Sequence, residues 1–466
     1  MNTPVLDDGR APSSPTAIAT IEARMRSNAA HPALFWNERV VTYGALCDAI
    51  DAWANTLDER AVAPGDVCAI IGDYSPGTCA LIFALVRRRA IVVPLTLAVR
   101  NETAEFFAIA GVQHVFRFDA DDAWVYEPVV ADGTNALIAT FRASGHPGLI
   151  VFSSGSTGKP KGILHDCERL FRKFVPQRQA RRTVLFLMFD HFGGFNTLLS
   201  VFAYGGAGVC VPNRAPDAVC RAIENARADL LPATPTFLNL VLAAGTYRRY
   251  ALDSVTLITY GTEVMPEATL AKLREAFPKA QLKQTYGLSE LGVLHSKSES
   301  DGSLWMKIGG AGFEVKVVDG QLWVRAGSNM VGYLNAPQPF DDEGWMCTGD
   351  DVEVRGEYFL IKGRRSEMIN VGGQKVFPAE VETLLLGDPN VAEATVYGVK
   401  HPLMGQVPHA RISVHEPEEQ RGLVERLRRL CADGLARYKI PQKFTVIAPD
   451  DQVSERFKKV RRIDGA

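Results

Sequence analysis

The sequence predicts an α/β protein in two parts. Residues 1–362 read as a large N-terminal part with parallel-rich sheets covered by helices, and residues 363–466 as a small, mobile α+β C-terminal domain. Three observations carry this. Short β-type runs alternate with helix-spaced segments through residues 67–285, which is the pattern of repeated βα units. After about residue 302 the texture changes to hairpin-like strands. A polar stretch, Lys362-Gly363-Arg364-Arg365-Ser366, then separates two ordered pieces.

The elements follow in order. Val67–Ile71 is a β-type run, Pro76–Arg89 carries helical spacing, and Ile91–Pro94 is again strand-like. Strand Leu149–Phe152 leads to helix His165–Phe174, strand Val184–Met188 to helix Phe195–Tyr204, and strand Gly208–Val211 to helix Pro216–Ala226. Strand Ser254–Tyr260 leads to helix Pro266–Phe277 and strand Gln281–Thr285. Phe313–Val318 and Gln321–Arg325 flank Asp319-Gly320, a hairpin signal, and Glu357–Ile361 is a further strand. The C-terminal domain reads as helix Pro378–Leu386, strands Val391–Val399 and His409–His415, helix Pro417–Leu435 and strand Lys443–Ile447.

At 466 residues the chain is too long for one compact core. It is 47% apolar and 22% charged with a formal net charge of −2, a balance that leaves no footprint for nucleic acid. The eight cysteines contain no Cys-x-x-Cys pair and the nine histidines no ligand-spaced cluster, which argues against a zinc site or a disulfide framework. No apolar run is long enough to span a bilayer and residues 1–15 have no apolar signal core, so a cytoplasmic location is expected.

The chemistry begins at Ser153-Ser154-Gly155-Ser156-Thr157-Gly158-Lys159-Pro160-Lys161-Gly162, directly after a strand. Backbone N–H groups, hydroxyls and ammonium groups together suit a polyphosphate. Pro160 follows Gly158-Lys159, so the P-loop pattern fails and a helix entry is blocked. Tyr286-Gly287-Leu288-Ser289-Glu290 offers an aromatic face for a purine, a close backbone approach and a hard oxygen ligand for Mg²⁺. Thr348-Gly349-Asp350 places a carboxylate suited to a ribose diol, although it also reads as ordinary turn chemistry. Gly363-Arg364 opens a segment that continues to Gly372-Gly373, either a substrate-facing loop or the turn of a hairpin. Asp190-His191-Phe192-Gly193-Gly194 sets an imidazole and aromatic groups beside glycines, where they can gate a small pocket. Phe457-Lys458-Lys459-Val460-Arg461-Arg462 is a basic terminal run.

In this order and spacing the segments resemble the adenylate-forming superfamily of acyl-CoA synthetases, standalone adenylation domains and luciferases, from about Val41 to Arg462. The resemblance implies ATP-dependent activation of a small carboxylic acid to an acyl-adenylate, with pyrophosphate release and transfer to a thiol. It implies ATP, Mg²⁺ and CoA or phosphopantetheine as cofactors. By the same resemblance Ser153, Ser154, Gly155, Ser156, Thr157, Gly158, Lys159 and Lys161 embrace the phosphates. Tyr286 stacks on adenine beside Gly261, Thr262 and Glu263, and Gly287 and Ser289 also bind the nucleotide. Glu290 holds Mg²⁺ with Thr157 nearby. Asp350 and Arg364 bind the ribose, His191 stands at the mouth of the acyl pocket, and Gly372-Gly373 lines a pantetheine path.

The family's catalytic lysine sits in Gly-Lys-Val/Ile-x-Arg. Lys459 fits that pattern except for the glycine, which is Lys458, so Lys459 is the expected residue and Lys458 the alternative. Ser366 stands at the hinge position, where the family usually has Asp or Lys. CoA is favoured as acceptor over an acyl or peptidyl carrier protein, and a non-amino acid over an amino acid. A catalytically weak nucleotide-binding sensor or scaffold is the reading from another class.

Overall fold

The computed structural model describes residues 15–130, 133, 135–154, 159–310, 312–454 and 458–461. The N-terminal part holds two seven-stranded sheets. One runs, in spatial order, through Gln281–Gln284, Leu257–Tyr260, Leu230–Ala233, Arg182–Leu185, Ala207–Cys210, Pro32–Trp36 and Arg39–Thr42. Its strands are parallel until the last, antiparallel edge. The other runs through Gly332–Tyr333, Pro160–Asp166, Gly148–Ser154, Ile91–Leu95, Val67–Ile71, His114–Phe118 and Trp124–Pro128. It has a parallel centre and antiparallel edges.

Helices Tyr43–Glu59, Pro76–Arg87 and Phe192–Ala203 share one apolar cluster with strand residues of both sheets. The residues from Thr78 to Val86 are all buried, and a helix apolar all round has to be enclosed on all sides. That enclosed layer fixes where Phe192–Ala203 begins, and with it His191.

Six antiparallel strands, Ser296–Ser298 to Tyr358–Arg364, follow. Asp319 and Gly320 have φ of 50° and 76°, the left-handed pair a two-residue hairpin turn requires. Five strands and helices Pro378–Leu385 and Gln420–Gly434 then form a separate C-terminal core.

The expected elements recur with small shifts, and three differences matter. His165 does not open a helix. Pro160–Asp166 is a strand paired antiparallel with Gly148–Ser154, in register Ser154↔Pro160, and the helix is Cys167–Arg172. The Ser/Thr/Gly/Lys loop therefore closes a β-hairpin. Pro160 is tolerated because it is the first residue of its strand. Second, Leu230–Ala233 and helix Pro235–Ala243 form a further βα unit that a four-residue strand hides from pattern reading. Third, strand Tyr358–Arg364 pairs straight across the expected boundary at 362/363. The apolar cores part between Ile361 and Ile369, around the 3₁₀ turn Arg365–Glu367 that carries Ser366. Among the described residues no helix is long and apolar enough to cross a membrane.

Candidate functional site

Strand ends and hairpins of four sheets deliver the side chains. Of the phosphate loop, Gly155, Ser156, Thr157 and Gly158 lie outside the described residues, as does the Ser154 side chain. Ser153 and Lys161 are register partners at the hairpin's end, and Lys159 is exposed. The Lys161 ammonium lies 4.9 Å from the ring centroid of Tyr333. The Tyr333 hydroxyl donates to Glu290 Oε1 at 2.6 Å. The phosphate-loop lysine and the expected metal carboxylate thus flank one tyrosine. Nothing in Val331-Gly332-Tyr333 signals this from sequence; Tyr333 arrives through a two-residue strand paired with Ile163 and Leu164.

Tyr286, Asp350 and Arg364 form one unit. The Tyr286 hydroxyl donates to Asp350 Oδ2 at 2.5 Å, and Arg364 Nε lies 3.3 Å from Asp350 Oδ1. Burial pushes the Asp350 carboxyl up, against the opposing pull of Arg364 and the Tyr286 hydroxyl. Burial and then the Asp350 charge push the Tyr286 phenol up. Gly261 meets the next strand so closely that a Cβ would stand 2.6 Å from Thr285 O. Thr262 beside it holds φ of +71°, rare for a β-branched residue and a form of strain found at functional sites.

Glu263, expected beside adenine, has both carboxylate oxygens hydrogen-bonded. Its Oε2 accepts from Thr236 Oγ1 at 2.7 Å and its Oε1 from the Lys459 backbone N–H at 3.0 Å. Oε1 holds the C-terminal strand while Oε2 is tied to helix Pro235–Ala243, so Glu263 makes a contact between domains.

His191 caps helix Phe192–Ala203, its Nδ1 accepting from Gly193 N–H at 3.2 Å. Gly194 makes that turn possible, since a Cβ there would lie 2.0 Å from Met188 O. The other ring nitrogen, Nε2, stands 3.5 Å from the Lys458 ammonium. Asp190 is buried and its Oδ2 accepts from Thr96 Oγ1 at 2.8 Å.

The two terminal lysines divide. Lys459, the expected catalytic residue, has a side chain only 7% exposed. Its ammonium meets Glu382 Oε2 at 3.1 Å, Glu393 Oε1 at 2.9 Å and Ala394 O at 2.6 Å. Arg461 Nη2 adds a contact to Glu382 Oε2 at 2.8 Å. Lys459 is thereby turned into the C-terminal core, and the alternative, Lys458, faces the cleft. The reason is strand alternation: Lys459 pairs with Val453, so its neighbour points to the opposite side. The Gly372-Gly373 pair is the exposed turn of hairpin Ile369–Val376 and its backbone bonds to Asn370 and Met404. In this pose the turn stands among C-terminal residues.

His165, whose ring packs 5.0 Å from Phe192, donates through Nε2 to Ser289 O at 2.7 Å. Burial pushes its imidazole from 6.5 down to about 4. The folded state resists the proton that the unfolded chain accepts below 6.5, so stability is full above that pH and falls as pH drops toward 4. The slope is about 1.4 kcal/mol per pH unit in this window. Thermal melts should show this fall, and His165→Gln should flatten it; a variant melt with the wild-type pH slope would assign the fall to other groups.

Between the domains lies a cavity of about 860 Å³ lined by Met188, Arg214, Leu240, Ala392, His415 and Pro449, among others. The contact is loosely packed there, as expected of domains that can separate.

The profile of the AMP-binding enzyme family matches residues 21–334, and that of the AMP-binding enzyme C-terminal domain residues 380–458. An indoleacetate–CoA ligase of Aromatoleum aromaticum is 29% identical, covering 93% of this chain and 94% of its own. A 2-succinylbenzoate–CoA ligase of Bacillus subtilis is 27% identical, over 89% and 91%. The fold matches the crystal structure of an anthranilate CoA ligase in complex with anthranoyl-AMP, with TM-score 0.81, 21% identity and 94% of each chain covered. It also matches an amide bond synthetase from Marinactinospora thermotolerans, with TM-score 0.71, 22% identity and 92% and 95% covered.

Proposed function

The chain belongs to the AMP-binding enzymes, with that family's main and C-terminal domains both present, and from this premise we propose that it is an AMP-forming acid–CoA ligase. A carboxylate oxygen attacks the α-phosphorus of ATP, the bond to the β-phosphate breaks, and pyrophosphate leaves. The CoA thiolate then attacks the acyl carbonyl and AMP leaves.

The observation that carries this reading is the Lys458 ammonium 3.5 Å from His191 Nε2. It brings a cation of the C-terminal domain to His191, where this reading puts the mouth of the acyl pocket. Two anions, carboxylate and phosphate, must meet there, and a fixed cation offsets their repulsion without having to reorganise. Lys458 therefore takes the role expected of Lys459. Asp350 and Arg364 would orient the ribose, Tyr286 the base, and Ser153, Lys159 and Lys161 the phosphates.

Glu290 suits Mg²⁺, being a carboxylate oriented by the Tyr333 hydroxyl. Among the described residues no three His, Cys, Asp or Glu side chains converge, so Glu290 would share the ion with substrate phosphates. When bound, Mg²⁺ supplies charge neutralisation at those phosphates. Glu290→Gln should raise the Mg²⁺ concentration needed for half-maximal activity by about tenfold or more, the scale at which even outer-shell partners act. An unchanged titration removes Glu290 from the metal site.

The position of Lys458 weighs against a catalytically silent scaffold. For the second half-reaction we propose rotation about Arg365–Glu367, which would bring Gly372-Gly373 to the cleft to line the pantetheine arm. Acid-dependent exchange of labelled pyrophosphate into ATP tests the reading. Exchange with at least one aryl, arylacetic or fatty acid is expected, and ATP binding with no exchange across the panel would overturn it.

A further inference from the structure

Helix Pro235–Ala243 of the large domain presents one amide to the C-terminal domain. Apart from Thr236 in its first turn and Asn239, the helix is apolar. Asn239 is buried. Its Nδ2 donates to Ala392 O at 2.7 Å and to Glu393 Oε2 at 3.0 Å. Its Oδ1 accepts from Thr269 Oγ1 at 3.2 Å, on helix Glu267–Ala276. A buried amide is unfavourable unless its groups are bonded. Here the donor end finds its partners on the other domain.

Glu393 passes the contact on. Its Oε1 meets the Lys459 ammonium at 2.9 Å and accepts the Ala394 backbone N–H at 2.9 Å. The Lys459 backbone N–H bonds Glu263 Oε1, and Glu263 Oε2 accepts from Thr236 Oγ1, on the helix that carries Asn239. One helix therefore grips the strand of Lys458 twice, through the side chain of Lys459 and through its backbone. Lys458 is left facing His191 at 3.5 Å.

Around this grip the domains touch lightly. Lys272 adds one long bond, 3.4 Å to Leu386 O. The cavity of about 860 Å³ has Leu240 and Ala392 in its wall, the chain neighbours of Asn239 and Glu393. A contact with such a void buries little apolar area, so directed polar bonds carry more of the preference for one pose. The grip is also built to release. Glu393 and Lys459 belong to the same domain and stay paired when it turns, so opening gives up the bonds of a neutral amide and strands no buried charge.

We propose that Asn239 is a positioning residue for the adenylation half-reaction, acting through Glu393 and Lys459 to hold the C-terminal domain in the pose that sets Lys458 at His191. The inference rests on the ligase reading and supplies the large domain's side of that closure.

Asn239→Leu tests it, since it removes the amide and keeps an apolar helix. Acid-dependent exchange of pyrophosphate into ATP should fall by about tenfold or more, the scale of a hydrogen bond to a charged group. Transfer from preformed acyl-adenylate to CoA should stay within a few fold of wild type or quicken. Trypsin should cut the variant faster at Arg364-Arg365, beside the turn about which the domain rotates. Should Asn239→Leu fail to fold, Thr269→Val keeps Asn239 and removes only the bond to its Oδ1, and should show the same split at about a few fold. In a folded variant, equal loss in both half-reactions or unchanged exchange overturns the role of Asn239 alone. Absence of exchange by the wild-type protein with every acid overturns the ligase reading and this role with it.

Discussion

Lys458→Ala should reduce acyl-adenylate formation by about 100-fold or more, the loss typical of removing one preorganised charge from a developing anion. The same variant supplied with preformed acyl-adenylate should still pass the acyl group to CoA at a rate within a few fold of wild type. The split follows from position. Lys458 stands at His191, and the rotation proposed for the C-terminal domain would carry it away before the thiol arrives. Equal loss in both half-reactions would mean that Lys458 shapes the pocket and does not act on the reacting charges.

Lys459→Ala should behave differently, as a stability defect. Its ammonium is buried with Glu382 and Glu393, whose side chains are 2% and 1% exposed. Removing one partner of a buried pair costs about 3–5 kcal/mol because the other charge is left uncompensated. Arg461 still faces Glu382, so the exposed deficit falls on Glu393, which also accepts from Asn239 Nδ2 at 3.0 Å. Chemical denaturation should show an early loss of the C-terminal domain, and Lys459→Met combined with Glu393→Gln should recover part of it. The same network has an acid limit. Arg461 and Lys459 outweigh burial at Glu382 and hold its carboxyl below 4.5. Its contribution is therefore present above 4.5 and lost as pH falls through the lower folded value. A Lys459→Ala protein with wild-type stability and abolished adenylation would reverse the assignment of the two lysines.

Reading from sequence reached the architecture wherever punctuation was strong. Asp319-Gly320 gave its hairpin, and Pro216 opened its helix at the expected residue. It misread Pro160–Asp166, because Leu164, His165 and Cys167 suit either a strand or a helix and only pairing with Gly148–Ser154 decides. It grouped Tyr286, Glu290, Asp350 and Arg364 through family likeness, and the folded chain brings Tyr286, Asp350 and Arg364 into contact. It chose between Lys458 and Lys459 on a five-residue pattern. The deciding fact is which face of a short strand meets Glu382 and Glu393, and those carboxylates lie 77 and 66 residues away along the chain.

The most direct measurement is product analysis by mass spectrometry after turnover with ATP, CoA and an acid that supports pyrophosphate exchange. The account predicts acyl-CoA, AMP and pyrophosphate in equal amounts, with acyl-adenylate accumulating when CoA is withheld. Formation of ADP and phosphate, or an acyl-adenylate that CoA never consumes, would contradict it.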